Sequence, residues 1–335
     1  EIKIHKYRTM PKVSLNRSWT TLDPMISFLG PSETESLPLS RNLKELKLIF
    51  SGNRIPSKSI EKLTIFISRH LTGLRSLRLD FESCSSISPN DFGFLIKEIT
   101  RNLQYLDTLH VDFTKCALLS DKSVEYFTRN LTRYFPDIQS LDFTFKGCSL
   151  IGDRSVRESL KIFSKRLYNL KSLGIGFGNG SISDKAFESF HQETKGKFAK
   201  LKSLGLYFSR CPMISNTGLK ALGKGLSENF RGLEKLRIII SPNYSPYGKF
   251  DDEGVKNLIY KICQYLENLK ELGLYFWKYH EVTAKSIKRL EVGIGNLKNL
   301  KVLSVNLEGC NPDAVQAVEE LTKKLATEEG MIIGT

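Results

Sequence analysis

Long apolar runs are missing from this chain of 335 residues. The nearest, LTIFIS from Leu63 and LRIIIS from Leu236, fall far short of the roughly 18 residues that a membrane span needs, so no membrane span is expected. Cysteine is sparse, six in all, too few for the disulfide framework of a small secreted fold. The sequon at Asn130 sets Leu131 on an apolar helix face, which argues against glycosylation there. A reducing, cytoplasmic setting is expected. Histidine is rarer still: His5, His70, His110, His191 and His280 show no H-E-x-x-H or comparable spacing. An initiator methionine is absent, and the basic start EIKIHKYR has no apolar core behind it. We therefore expect no signal peptide at this start, and read the chain as a processed form or a piece of something longer.

Charge of one sign is plentiful. Fifty Lys and Arg against 36 Asp and Glu give a net charge of +14, and the pI is near 9.4. That balance implies an acidic partner: nucleic acid, an anionic membrane surface or an acidic protein. The apolar fraction of 40% and charged fraction of 26% are those of an ordinary folded protein.

One phrase recurs along most of the chain. LKELKLIF starts at Leu43, LRSLRLDF at Leu74, LDTLHVDF at Leu106, IQSLDFTF at Ile138 and LKSLGIGF at Leu170. LKSLGLYF follows at Leu201, LEKLRIII at Leu233, LKELGLYF at Leu269 and LKVLSVNL at Leu300. The spacings are 31, 32, 32, 32, 31, 32, 36 and 31 residues. Apolar residues at positions 1, 4, 6 and 8 of each unit carry the alternation of a strand with one buried face. The second half of each unit steps at helical spacing, as in Val124, Phe127, Leu131 and Phe135, with Ser120 or Asp121 placed to cap the start. Strand and helix alternating at so short a period stack as a solenoid.

L-x-x-L-x-L followed by Asn or Cys and an I-x-D turn resembles the leucine-rich repeat, in its ribonuclease-inhibitor-like class with true helices. The longer units, with turns such as CSLIGDRSV and PMISNTGL, are similar to repeats of expanded families in unicellular eukaryotes. The resemblance implies an α/β solenoid, a horseshoe with a parallel inner sheet and outer helices, of about nine repeats. Residues 1–40 are expected to form an N-terminal cap or degenerate first repeat, 41–310 the repeats and 311–335 a C-terminal capping helix.

Five of the six cysteines share position 11 of the repeat: Cys84, Cys116, Cys148, Cys211 and Cys310. Asn53 and Asn243 fill the same slot, as do Gly180 and Tyr279. In leucine-rich repeats this slot points inward and its donor satisfies backbone carbonyls, so the cysteines are read as structural and Cys263 as a buried helix residue. Metal sites need tighter clustering. GLKALGKG, from Gly218, fits a P-loop pattern except that Gly225 replaces the magnesium-binding hydroxyl. Its Leu219, Leu222 and Leu226 fit the buried face of an outer helix. No enzyme signature, metal or cofactor is expected.

Positions 5 and 7 should line the open face of the sheet. Lys47, Arg78 and Arg237 balance Asp80, Asp112 and Asp142 there, so the excess charge is expected on helices, loops and ends. Arg78, Asp80, His110, Asp112 and Asp142 form one candidate protein-binding group, a socket for a basic segment. Tyr207, Arg237 and Tyr275 form another, over a floor of Gly174, Gly176, Gly205 and Gly273, with the tyrosines as exposed anchors. The 36-residue unit places Tyr244, Tyr247 and Lys249 in a candidate rim loop. Lys195, Lys197, Lys200 and Lys202 cluster near a rim.

The expected role is a non-catalytic scaffold for protein partners, acidic ones at the convex or rim surface, within an intracellular hetero-complex such as a cytoskeletal or ciliary lattice. Nucleic acid is the weaker partner class, because a base-reading surface with interleaved aromatics is not evident. Three alternatives share the architecture. A GTPase activator of the Ran-activating type is one, although no catalytic residue maps. A ubiquitin-ligase substrate receptor would need an F-box-like segment ahead of the repeats, which residues 1–40 do not show and an absent upstream region would hide. An RNA-associated protein would bind with steep salt dependence.

Overall fold

The computed structural model describes residues 2–5, 12–16, 43–178, 181–242, 249–328 and 331–334. The chain divides into two compact units, residues 1–150 and 151–335.

In the first unit β1 (Ile2–His5) pairs antiparallel with β2 (Lys12–Asn16). β2 then starts a parallel series through β3 (Glu45–Ile49), β4 (Ser76–Asp80), β5 (Thr108–Asp112) and β6 (Ser140–Lys146). Between the strands lie α1 (Ser57–His70), α2 (Pro89–Asn102) and α3 (Asp121–Tyr134). Most of the expected N-terminal cap, residues 17–42, lies outside the described residues.

In the second unit the strands are β7 (Ser172–Gly178), β8 (Ser203–Ser209), β9 (Lys235–Ser241), β10 (Glu271–Phe276) and β11 (Val302–Asn306). They run parallel and in register, and β12 (Ile332–Ile333) adds itself to β11. The helices are α4 (Asp153–Arg166), α5 (Asp184–Gln192), α6 (Asn216–Asn229), α7 (Asp252–Tyr265), α8 (Ala284–Ile294) and α9 (Pro312–Glu328). The segment expected to cap the C-terminus therefore carries both α9 and a strand. The fold is an α/β leucine-rich-repeat-like solenoid of about nine repeats, with parallel strands alternating with helices.

The core follows the repeat. Leu74, Leu77, Leu79 and Phe81, positions 1, 4, 6 and 8 of one unit, are wholly buried. Position 8 builds an aromatic spine: Phe50, Phe81, Phe113 and Phe145 stack ring on ring at 5.1, 5.3 and 5.8 Å. Offset stacking of this kind adds to what burial alone contributes. The helices close the other side, with Phe127 of α3 against Phe143 of β6 at 5.4 Å. Ser120 takes the N-cap of α3, as its placement suggested. In the second unit a carboxylate in one coil ties down the cap of the next. Asp153 accepts from the backbone N–H and hydroxyl of Ser183 at 2.7 and 2.6 Å, and Asp184 does the same for Ser215. GLKALGKG lies on α6 with Leu219 and Leu222, and Leu226 just after it, buried. A Cβ at Gly225 would sit 2.8 Å from the backbone of Phe190, so that glycine serves close helix packing against α5.

The end of each strand is the most constrained point. Position 10 is left-handed at every described coil but one: Gly52, Ser83, Lys115, Gly147, Arg210, Lys278 and Gly309 have φ between 60° and 77°. Proline fixes φ near −65°, so Pro242 in that position cannot follow, and its coil is the one with the extra residues. Position 11 then returns to the interior. The Phe113 carbonyl accepts from the Cys116 N–H at 3.1 Å and from the Cys148 thiol of the next coil at 3.2 Å. Phe81 is served likewise by Cys84 and Cys116, and Phe276 by the Cys310 thiol. Asn53, in the first described coil, gives its amide to the Phe50 carbonyl at 2.8 Å. Tyr279 fills the slot differently, stacked on Phe250 at 3.6 Å with its hydroxyl buried.

Burial pushes these thiols up: Cys84 and Cys310 to about 11, Cys148 and Cys263 to about 12. Folding holds them neutral, so their contribution to stability is complete below the ordinary thiol range. It is lost as pH rises from about 9 toward 12. All six cysteines are buried thiols outside any disulfide; iodoacetamide at pH 8 should label them only in denaturant, and rapid native labelling would contradict the ladder. Cys148→Ala should cost about 1–2 kcal/mol in urea unfolding, through one lost hydrogen bond and a small void. Lys115→Gly should stabilise by about 1 kcal/mol, since the left-handed backbone penalises a Cβ and the exposed Lys115–Glu82 pair at 3.1 Å adds little.

Candidate protein-interaction surfaces

The strand register lines up the outward columns as the period of two requires. In the first unit Lys47, Arg78, His110 and Asp142 are neighbours across β3–β6, and Ile49, Asp80, Asp112 and Thr144 form the next column. In the second unit the columns are Gly174, Gly205, Arg237, Gly273, Ser304 and Gly176, Tyr207, Ile239, Tyr275, Asn306. The net neutrality of the columns conceals opposite local signs. The first unit's columns hold two cations and three anions, and the second unit's hold one cation and no anion.

The three aspartates of the first unit are brought to one face, and each also has work at home. Asp80 accepts from the Glu82 N–H at 3.1 Å and the Ser51 hydroxyl at 2.8 Å. Asp112 accepts from the Thr114 N–H at 2.8 Å. Both close the turn that leaves the strand, as Asn306 does for Glu308 at 2.9 Å in the second unit. Asp142 lies 3.6 Å from Nδ1 of His110. Nε of Arg78 and Nε2 of His110 are buried without a hydrogen-bond partner. Burial raises the Asp112 carboxyl, and the charge of Asp80 raises it further, against the hydrogen bonds from Thr114.

The expectation of two exposed tyrosine anchors over an open glycine floor needs correction. Tyr275 is only 7% exposed. Its ring folds back along its own strand, so that a Cβ at Gly273 would meet it at 2.9 Å. Tyr207 is half-buried and lies over Gly205 in the same way, its hydroxyl occupying the place of a Cβ. Gly-x-Tyr on a strand is therefore a ring covering its own gap. Arg237, exposed on β9, sets its guanidinium 5.3 Å over the Tyr275 ring and donates to its hydroxyl at 3.2 Å. Trp277 meets the edge of that ring at 6.2 Å and donates from Nε1 to Asn306 at 2.9 Å. One wall results, Arg237–Tyr275–Trp277–Asn306, held by three internal contacts.

The wall borders a cavity of about 360 Å³ at the strand ends, lined by Ser209, Arg210, Ser241, Pro242, Trp277, Lys278 and Glu308. None of its charged residues emerged from the period-two rule, which stops at position 8. The signal that would have found Arg210 and Lys278 is the column at position 10, where glycine recurs at Gly52, Gly147 and Gly309, the mark of a left-handed turn. In the rim loop Lys249 is exposed and bridges Ser215, while Tyr244 and Tyr247 lie outside the described residues. In the lysine cluster, Lys195 and Lys197 are exposed, Lys200 donates to Asn169, and Lys202 pairs with Glu234. Among the described residues no group of three or more His, Cys, Asp or Glu could hold a metal ion. No described helix is long and apolar enough to cross a membrane.

No family model matches the chain, and no curated protein matches it either. Among solved structures it is similar to the Rad7–Elc1 complex of yeast, at 14% identity over 88% of this chain and 81% of that one, with a TM-score of 0.42. A protein from Bacteroides fragilis matches at 15% identity over 87% and 73%, with a TM-score of 0.43. A leucine-rich-repeat protein from Leptospira interrogans matches at 14% over 96% and 100%, with a TM-score of 0.22.

Asp112→Asn separates the turn-closing duty from the charge. The amide oxygen can accept from Thr114, as Asn306 does for Glu308, without a buried charge beside Asp80. Because the folded carboxyl is raised, the wild type is penalised as pH climbs through that value and not below the ordinary aspartate range. The variant should therefore unfold at higher urea than wild type at pH 7, with the difference vanishing below about pH 4. A loss of stability at pH 7 would show that the charge itself is needed for folding.

Proposed function

We propose that the protein is a non-catalytic interaction scaffold of the ribonuclease-inhibitor-like repeat class, working as a subunit of a larger intracellular assembly. The observation that carries this reading is the contrast between the two sides of each sheet. The inward columns repeat Leu, Leu and Phe coil after coil. The outward columns keep no one residue from end to end, and hold aspartates in one unit and arginine with tyrosines in the other. Packing explains the first pattern; in the second, Asp80 and Asp112 close turns and Tyr207 and Tyr275 cover glycines, but the charge and ring that each coil presents outward differ, as on a binding face. The candidate contacts are Arg78, Asp80, His110, Asp112 and Asp142 on one unit and Tyr207, Arg237 and Tyr275 on the other, with Tyr244, Tyr247 and Lys249 at the rim.

Charge supports acidic neighbours. Residues 151–335 hold 29 Lys and Arg against 20 Asp and Glu, and Lys195, Lys197, Lys165 and Arg166 are exposed. A cytoskeletal or ciliary lattice is the setting we favour.

Affinity purification of the tagged protein from its own cells, at low and moderate salt, should recover the same protein partners in both. Arg237→Glu should deplete partners held by the second unit, with thermal unfolding unchanged. Recovery of nucleic acid or a small GTPase alone, with no stable protein assembly, would defeat the proposal.

A further inference from the structure

Two residues that line the cavity beside Trp277 carry a backbone cost. These two, Arg210 and Lys278, have φ of 61° and 64°. Gly52, Gly147 and Gly309 hold the same place in other coils without strain, and Ser83 and Lys115 hold it in the first unit at φ of 60° and 61°. Cations therefore stand where glycine would suit the backbone better, and Arg210 and Lys278 border the one cavity described at these strand ends. A non-glycine residue held in this region is a reason to ask what its side chain does.

Resting on the interaction reading above, we propose that this cavity receives an acidic side chain of an extended peptide lying across β8–β11. Arg210 and Lys278 supply the opposite charge from two sides, and Arg237 extends it onto the sheet face. Glu308 is the lone acid among the lining residues, available to a peptide N–H. The cavity's roughly 360 Å³ suits one or two residues, and Trp277, held in place by Tyr275 and Asn306, bounds it without rearrangement. A nucleic acid fits less well. The Tyr275 ring is already covered by Arg237 and the Trp277 N–H already serves Asn306, so neither aromatic offers the free face that base stacking uses.

The test exploits the backbone. Arg210→Gly and Lys278→Gly delete the cation and relieve the strained turn together, so both variants should fold with stability equal to or above wild type. A displayed library of random linear peptides is selected on the full chain, and binding is read from Trp277 fluorescence in a Trp19→Phe background. The proposal expects enrichment of Asp and Glu among selected peptides. It expects about tenfold weaker binding in each glycine variant, the scale of one charge-assisted contact, and no change in Lys122→Ala, at an exposed position of α3. Selected peptides without acidic enrichment, or binding unaffected by both glycine variants, would overturn it. So would oligouridylate binding that depends on Arg210 and Lys278 where acidic peptides fail to bind. Peptides that bind both glycine variants as they bind wild type would remove this site and leave the scaffold reading standing, whereas no peptide and no purified partner would remove both.

Discussion

Four strands of this protein, β3, β4, β5 and β10, end with a buried carbonyl that takes a second hydrogen bond from the thiol of the next coil. The Phe113 oxygen shows the arrangement: one hydrogen bond arrives from Cys116 in the same coil and a second from the Cys148 thiol in the next. A carbonyl left unpaired in such a place costs on the order of 1–3 kcal/mol. The neighbour must therefore bring its own turn to the same height, which fixes the rise from coil to coil. The phenylalanine spine, the left-handed position 10 and the inward slot at position 11 are all parts of that one junction. Where Pro242 forbids the left-handed turn the repeat lengthens to 36 residues, and in the coil that follows Tyr279, stacked on Phe250, fills the slot.

The same junction separates what packing uses from what it leaves over. Thiols committed to carbonyls and pushed upward by burial are poor nucleophiles and poor metal ligands. Positions 5, 7, 9 and 10 carry the chemical variety instead. Some of that variety is consumed internally: Asp80, Asp112 and Asn306 close turns, and Tyr207 and Tyr275 cover glycines of their own strands. What remains is an acidic face in the first unit and a cationic, aromatic-walled cavity in the second.

The sequence by itself determined the repeat, the register and the core, because a period of two and a period of about 32 are both readable without coordinates. Leu77, Leu109 and Leu141 had to align once the units were set in phase. It also determined that the cysteines are structural, since five of them share one position. Only the tertiary structure decided which outward residues are free. Whether Tyr275 stands out or lies down depends on Gly273 beneath it and Arg237 on the next strand. Whether Arg210 and Lys278 share a cavity depends on φ at a turn and on coils more than 60 residues apart. Periodicity reports the direction of a Cα–Cβ bond, while the end of a long side chain is placed by its neighbours across the sheet.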